Sequence, residues 1–464
     1  MAEQQSAVQK ELKKQRRNWV NSDLPLPKVV FLLAWPVMAQ MTLQTLVQII
    51  DMAMVGRLGK EAIAGVGLSF RPLFVGFSIF LGLGAATTAL VSRSIGAKQE
   101  GEAQQAAAQS IIIGAVISFA LAVIAFLGAR QITLFMGAQG SVIDNGITYL
   151  RGYSPGMFFS FISILVTASL RGAGDTKTPF IASMADNIIN VIGNYVLIFG
   201  RLGFPALGIL GAAIATSFSR LISLGIMTYI LVKGKAGLHI KFKDFFKLNV
   251  PVIKRLFKIG IPAAFERLAQ SITLLLTTRI VASMGTTAVA IMVLSGNIEQ
   301  LSFMPAIGFA VAASTLVGQN LGAKQPDKAE KSGWSAAKMA LLLMSVMGVL
   351  FILVPEALIR IYTNEATVIE GGKMIMRILG IAQIPQALSF AIGGSLRGAG
   401  DTKKVLYISV LGNFVIRLGL TWLFIMVFQL GLWSVYLAVI IDWSVRSLLL
   451  SNRFRRGEWK SIKV

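Results

Sequence analysis

Long runs without a charged residue recur along this chain. Several of them are 19 to 27 residues long, and each reaches the roughly 20 residues that an α-helix needs to cross the hydrocarbon core of a bilayer. Seven such runs are 29–50, 72–92, 103–129, 152–170, 280–298, 301–323 and 378–396. A backbone in lipid must satisfy its own hydrogen bonds, so runs of this kind form helices and not strands. The sequence therefore predicts an all-α integral membrane protein.

Shorter apolar runs raise the predicted number of transmembrane helices to twelve, from a first near 29–52 to a last near 430–450. Charged residues make up only 14% of the chain, against about 25% in soluble domains. The chain has no cysteine, which excludes disulfides, thiolate nucleophiles and cysteine-ligated zinc. We expect no cofactor and no metal site, and we do not expect an enzyme.

The net charge of +23 is concentrated in a few segments. A twelve-helix chain places all four of them on one side of the membrane; they are 10–17, 233–258, 324–338 and 453–463. This is the positive-inside pattern, which predicts that both termini are cytoplasmic in a protein of the cell (plasma or inner) membrane. Topology accounts for the charge, so nucleic acid is not expected as a partner.

An internal repeat divides the chain into halves. The sequence SLRGAGDTK at 169–177 recurs at 395–403, and IGAKQ at 95–99 recurs as LGAKQ at 321–325 with the same separation along the chain. Six helices return the chain to its starting side, so the halves should be parallel six-helix bundles related by a pseudo-two-fold axis along the membrane normal. This arrangement is typical of secondary transporters. The predicted parts are a basic cytoplasmic N-terminus (1–28), an N-lobe (29–232), a basic cytoplasmic linker (233–256), a C-lobe (257–450) and a basic cytoplasmic tail (451–464).

The repeated SLRGAGDTK motif lacks the spacing of a phosphate-binding loop and follows a helix instead of a strand. Its glycines favour a tight turn at the cytoplasmic surface. Asp175 in the first copy and Asp401 in the second are predicted to cap the helices that follow.

Polar side chains inside the predicted helices mark the candidate site, because such groups are costly in lipid and should face a wet interior. One face of the first helix carries Gln40, Gln44, Gln48 and Asp51, with Met41 and Met52 beside it. Helical spacing also groups Asn187, Asn190 and Asn194 on the fifth helix. Secondary candidates are Glu266, Glu299, Asn413 and Arg417, followed by Asp186, Arg220 and Asp442.

Asp51 is the most informative of these residues. A carboxylate among amides at membrane depth tolerates the bilayer when protonated and attracts a cation when ionised. Two structural alternatives are a pair with Arg57 and a helix-end carboxylate in contact with water. The three asparagines could orient Asp51 or serve as interhelical packing contacts. For Glu266, an ion pair with Arg267 or with another helix is as plausible as a functional role.

The chain resembles the multidrug and toxic compound extrusion (MATE) family, and within it the DinF branch. The resemblance covers residues 28–450 and rests on the two six-helix repeats, the proline of the first helix, the I-D-x-x-x-V-G-x-L-G run at Ile50–Gly59 and the paired LRGAGDTK motifs. It implies drug or organic-cation efflux by alternating access, driven by inward movement of protons or sodium ions.

By this resemblance, Asp51 matches the coupling carboxylate of the family, Asn190 its partner on the fifth helix, and Glu266 the acid that begins the seventh helix in many members. Asn194 stands where many relatives carry an aspartate. Gln386 stands near the acid that sodium-coupled relatives carry on the tenth helix, and the loss of that ligand favours protons over Na⁺.

The sequence thus predicts a monomeric, proton-coupled multidrug antiporter with Asp51 as coupling carboxylate. Its partners would be organic-cation drugs and the lipid bilayer. Asn187, Asn190 and Asn194 would assist proton coupling, and the glutamines and methionines of the first helix would bind substrate. The alternatives are a Na⁺-coupled drug antiporter, a lipid or lipid-linked oligosaccharide flippase of a related fold, a channel, and a membrane-embedded enzyme.

Overall fold

The computed structural model describes residues 19–234, 237–240, 242–245, 247–462 and 464. The basic segment 10–17 lies outside the described residues, as do Lys235, Lys241 and Lys463.

All regular secondary structure among the described residues is helical, without a strand, and twelve of the helices are long and apolar enough to cross a membrane. The prediction of twelve spans is confirmed. In chain order they are α1 (Leu26–Gly56), α2 (Lys60–Gly96), α3 (Glu100–Leu127), α4 (Ser141–Gly172), α5 (Lys177–Phe199), α6 (Gly208–Val232), α7 (Val250–Ala282), α8 (Thr286–Gly322), α9 (Pro326–Leu353), α10 (Ala366–Gly398), α11 (Thr402–Val427) and α12 (Trp433–Arg455).

Most of these helices extend beyond the runs that predicted them. Helix α2, for example, contains the uncharged run 72–92, but it begins at Lys60 and ends at Gly96. Its extra turns carry Glu61 at the amino end and Arg93 at the carboxyl end, the arrangement of charge that the helix dipole favours. Hydropathy identifies only the apolar centre of such a helix, so the predicted boundaries are too short.

Helix α11 departs from regular α-helical geometry. After the α-helical segment Thr402–Val410, it winds as a π-helix over Leu411–Leu418 and again over Leu423–Val427. Segments of this kind are rare and often occur at functional sites. The first of them carries Asn413 and Arg417, two of the secondary site candidates.

The chain divides into two compact units. Unit 1 contains Ala39–Ile95 and Gln99–Gly260. Unit 2 contains the described residues up to Met38, Gly96–Lys98 and Ile261–Val464. Small residues allow the helices of unit 2 to pack closely: a side chain at Gly394 or Gly398 of α10 would collide with the backbone of α8, as is common between membrane helices. The sequence-based boundaries between lobes and linker stay a prediction.

The two copies of the SLRGAGDTK motif form the expected turns but differ in their caps. Gly174 and Gly400 adopt φ angles of +88° and +87°, which glycine tolerates best. Asp175 caps α5, because its Oδ1 accepts hydrogen bonds from the backbone N–H groups of Lys177 (3.1 Å) and Thr178 (2.9 Å). The prediction for Asp401 was wrong: its side chain makes no capping hydrogen bond and accepts one from Arg453 Nε instead, at 2.8 Å.

Candidate functional site

The carboxylate of Asp51 lies on α1 in unit 1 and receives hydrogen bonds from two asparagines of α5. Asn194 Nδ2 donates to Asp51 Oδ1 at 2.7 Å. The Asn190 amide, oriented with its nitrogen toward the carboxylate, donates to Oδ1 at 2.8 Å and to Oδ2 at 3.1 Å. In that orientation the Asn190 oxygen accepts from the hydroxyl of Thr216 on α6, at 3.1 Å. The structure therefore brings together three of the four residues that the sequence proposed for proton coupling, Asp51, Asn190 and Asn194, with Thr216 as an additional member.

Asp51 forms no ion pair with any described basic side chain within 4 Å. Arg57, which was considered as its structural partner, instead lies with its guanidinium 6.0 Å from the centre of the Phe199 ring. Asp51 is half-buried, whereas Asn190 and Asn194 are buried. The carboxylate is thus held by neutral amides, and it is neither sealed from solvent nor bound in a salt bridge.

The other polar residues of α1 spread along the helix and do not all join this cluster. Gln40 is buried, and its Oε1 accepts a hydrogen bond from Arg171 Nη2 of α4 at 2.9 Å. Met41 and Gln44 are half-buried, whereas Gln48 and Met52 are exposed. The described hydrogen-bond donors to Asp51 all lie on α5.

Beyond the asparagines, α5 carries an ion pair with α6. Asp186 is buried, and its Oδ2 lies 2.5 Å from Arg220 Nη1. Asn187 is buried next to it, and its Nδ2 has no hydrogen-bond partner among the described residues. The described hydrogen bonds therefore do not join Asn187 to the Asp51 cluster, although the sequence grouped it with Asn190 and Asn194.

In unit 2, Glu266 forms an ion pair with another helix, which is the structural alternative that the sequence offered for this residue. Arg397 of α10 donates to both of its carboxylate oxygens, from Nε at 3.1 Å and from Nη2 at 2.7 Å. The hydroxyl of Ser409 on α11 donates to Glu266 Oε1 at 3.2 Å. Glu266 is buried at 2% exposure, so its charge is balanced within the protein.

The remaining secondary candidates form two further groups. Glu299 of α8 accepts a hydrogen bond from Gln386 Nε2 of α10 at 2.8 Å. Separately, Asp442 of α12 is flanked by Arg417, whose Nε lies 2.8 Å from Oδ2, and by Arg446, which also donates to Asn413 Oδ1 at 3.2 Å. The described hydrogen bonds and ion pairs therefore do not join Glu266, Glu299, Asn413 and Arg417 into one site.

Sequence reasoning missed the partners Arg171, Arg397, Arg446 and Thr216. A usable signal was present for the first two, because superposing the two repeats carries Arg171 onto Arg397 and Gln40 onto Glu266. The repeated motif was interpreted only as a turn. The arginine of each copy also donates a hydrogen bond to a polar residue on the first helix of its repeat. Arg171 donates to Gln40, and Arg397 donates to Glu266.

The chain is similar to known proteins in both sequence and fold. The sequence profile of the MatE family matches residues 36–196 and 262–423. The probable multidrug resistance protein NorM of Thermotoga maritima is 31% identical over 447 residues, with 94% of each chain covered. The uncharacterized transporter YisQ of Bacillus subtilis is 29% identical, with 93% of this chain and 94% of that protein covered.

A solved structure, described as the outward-facing conformation of a multidrug resistance MATE family transporter of the MOP superfamily, shares the fold. The TM-score is 0.87 at 23% identity, and 94% of this chain and 97% of that chain are covered. The two segments that match the family profile begin at 36 and 262, which are equivalent positions in the two repeats, so both repeats carry the family pattern. The chain belongs to the MATE family, whose members are membrane transporters and not enzymes.

Proposed function

We propose that this protein is a multidrug efflux antiporter that exchanges cationic, amphipathic drugs for protons, with Asp51 as the residue that binds either one. The observation that carries the proposal is the half-buried Asp51 carboxylate, held by Asn190 and Asn194 without a permanent positive partner among the described residues. Ionisable groups inside transmembrane segments are costly and mark transport pathways. The name of the Thermotoga maritima relative supports drugs as the substrate class.

The amide of Asn190 suits a carboxylate that changes its protonation state. With the nitrogen toward Asp51, the amide donates to an ionised carboxylate. In the reversed orientation the Asn190 amide oxygen lies 2.8 Å from Asp51 Oδ1 and accepts a hydrogen bond from a protonated carboxyl. The Asn190 nitrogen then donates to the hydroxyl of Thr216 at 3.1 Å. An amide offers either a donor or an acceptor at nearly the same position. A rotation of one side chain thus accommodates both states of Asp51.

Protons fit this environment better than sodium does. The described groups that approach Asp51 are amide N–H donors, whereas a hard cation requires several oxygen ligands around it. In unit 2, Glu299 is bonded to the neutral amide of Gln386 instead of a second carboxylate. The same reasoning favours an organic cation at Asp51, because an organic cation binds through charge and apolar contact without a full shell of oxygens.

The substrate would contact the exposed side of α1 next to Asp51. Met52 is 42% exposed, Gln48 is exposed, and Met41 and Gln44 are half-buried. Methionine side chains adapt to ligands of different shape, which suits a transporter with many substrates. A protonated Asp51 would lose its attraction for the cationic drug and release it. We place the protein in the cell membrane with cytoplasmic termini, as the positive-inside pattern predicts.

Reconstituted transport tests this proposal. Purified protein in liposomes should move ethidium against its gradient when a pH gradient is imposed, and a sodium gradient alone should not drive the movement. Transport driven by sodium at constant pH would support the sodium-coupled alternative instead. Single-channel currents in planar bilayers would support a channel.

A lipid or lipid-linked oligosaccharide flippase is the second candidate. It is favoured by a specific feature of unit 2, a pocket lined by Arg267, Arg397 and Arg446, because such substrates carry phosphate groups. Movement of a fluorescent lipid between leaflets, without ethidium transport, would support that function.

A further inference from the structure

The two halves of the repeat have diverged in charge. Superposing the repeats carries Met41 onto Arg267, Gln40 onto Glu266 and Gln44 onto Gln270. The second half therefore carries an arginine and a glutamate where the first half has a methionine and an amide. Glu266 is neutralised by Arg397 in a bidentate pair, but Arg267 has no such partner.

Arg267 lacks a partner carboxylate in the described part of the chain. Its hydrogen bond runs from Nη1 to the side-chain oxygen of Gln270, at 3.3 Å. The side chain is half-buried, on a helix whose centre is apolar. A cation held away from bulk water without a counter-ion is unfavourable, so the position is one that an anion would stabilise.

The positive charge of this region exceeds its negative charge even when its neighbours are included. Arg417 and Arg446 share the single carboxylate of Asp442, and Glu299 attracts Arg417 from α8. When Glu266, Arg397 and Arg267 are added, the region contains four arginines and three carboxylates. Glu266 attracts Arg267 as well as Arg397, so one positive charge of this region has no carboxylate of its own.

Arg267 lines a pocket inside unit 2. The other walls of this pocket include Glu266, Arg397, Ser409, Phe390 and Trp443. The Phe390 and Trp443 rings stack with their centres 5.5 Å apart. Guanidinium groups bind carboxylates and phosphates through paired hydrogen bonds, and an aromatic wall binds the apolar part of a ligand.

We propose that this pocket of unit 2 is an anion-binding site for the carboxylate or phosphate of an amphipathic, ring-bearing molecule, with Arg267 as its principal cation. The site adds to the proposed exchange at Asp51 and does not depend on it. The same chemistry would accept the phosphate of an anionic lipid.

Equilibrium binding without any ion gradient tests the site. Protein in nanodiscs of phosphatidylcholine is titrated with an unesterified rhodamine, which carries a free carboxylate, and with its methyl ester, which does not. Arg267→Met installs the residue found at the equivalent place in the first half. Loss of a hydrogen bond to a charged group corresponds to about tenfold weaker binding, and we expect this loss for the free acid alone.

Arg279→Met, on the exposed end of the same helix, is the matched control and should change neither affinity. Arg267→Gln replaces the methionine variant if that variant fails to fold. Adding phosphatidylglycerol to the nanodiscs separates the two ligand sources: competition with the free acid that disappears in the Arg267 variant assigns the site to lipid phosphate. The proposal is overturned if the free acid and the ester bind the Arg267 variant with the same relative affinities as the wild type.

Discussion

Arg397 of α10 binds Glu266 of α7 through two hydrogen bonds, and the internal repeat carries this pair onto Arg171 and Gln40, which share one hydrogen bond of 2.9 Å. The same geometric relation is thus an ion pair in the second half and a hydrogen bond between an arginine and an amide in the first. The two repeats share this contact between helices but differ in its charge.

Removing the carboxylate from the ion pair should destabilise the protein. Glu266→Gln leaves Arg397 as a largely buried charge without its partner, and we expect a loss of about 3 kcal/mol in the free energy of unfolding. Gln40→Leu in the first half should cost less, since it removes a single hydrogen bond to a charged group, roughly 1.5 kcal/mol. Thermal unfolding in detergent, followed by tryptophan fluorescence, ranks the two variants. Equal losses would contradict the different roles of the two pairs.

Substitutions of Asn194 and Asn187, both on α5, should differ in their effect on transport. Asn194→Ala removes a hydrogen bond of 2.7 Å to the Asp51 carboxylate, a bond to a charged group that is worth about 2 kcal/mol, and drug efflux should fall by at least tenfold. Asn187→Ala, on the same helix, removes an equally buried amide whose nitrogen has no described partner, and efflux should be nearly unchanged. Rates of ethidium efflux from proteoliposomes measure both, and equal effects would refute the contact with Asp51.

The two SLRGAGDTK turns should respond differently to loss of their aspartates. Asp175→Ala removes a helix cap, at a cost of about 1 kcal/mol, and its effect should add to that of Arg453→Ala. Asp401→Ala removes the partner of Arg453 itself, so the double variant with Arg453→Ala should lose less stability than the sum of the single variants. Thermal unfolding of these single and double variants measures the losses of stability. If the losses for Asp401→Ala and Arg453→Ala simply add in the double variant, the prediction is contradicted.

The C-terminal segment after α12 should be released by a single substitution. Trp459 is fully buried, stacks on Phe454 with ring centres 4.5 Å apart, and donates from Nε1 to the Phe454 carbonyl at 2.7 Å. Trp459→Ala should cost about 3 kcal/mol and expose the tail to protease. Trp422→Ala, at a tryptophan that is 54% exposed, is the control. Limited proteolysis followed by mass measurement shows the outcome, and an equally protected tail in both variants would contradict it.

The number and order of the membrane helices could be predicted from sequence because each helix contains an apolar run, which is long in some helices, as for 29–50 in α1, and shorter in others. Periodicity placed Asn190 and Asn194 on one face and left their contact with Asp51 as one of two alternatives, and the family resemblance pointed to Asn190 as the partner of Asp51. The ion pair of Asp186 with Arg220 was not predicted, and an ion pair of Glu266 with another helix was an alternative whose partner, Arg397, was not identified. Which side chains meet across two helices depends on the rotation and depth at which the helices pack. Hydropathy does not specify either of these.

The π-helical winding of α11 illustrates the same limit. The segment Leu411–Leu418 is an apolar run with Asn413 and Arg417 at regular α-helical spacing, so the sequence predicts an ordinary helix there. In the structure Arg446 reaches Asn413, and Arg417 reaches Asp442 on α12. Those contacts involve a neighbouring helix, and a single-helix pattern does not report them.

The most direct test of exchange at Asp51 is to count the protons released when a cationic drug binds. Purified protein in weakly buffered, mildly acidic solution is titrated with ethidium while binding and pH are recorded together. The account predicts that the wild type and Asp144→Asn, a neutralised aspartate on the exposed start of α4, release protons as ethidium binds, and that Asp51→Asn releases none. Unchanged proton release from the Asp51→Asn variant would contradict the account.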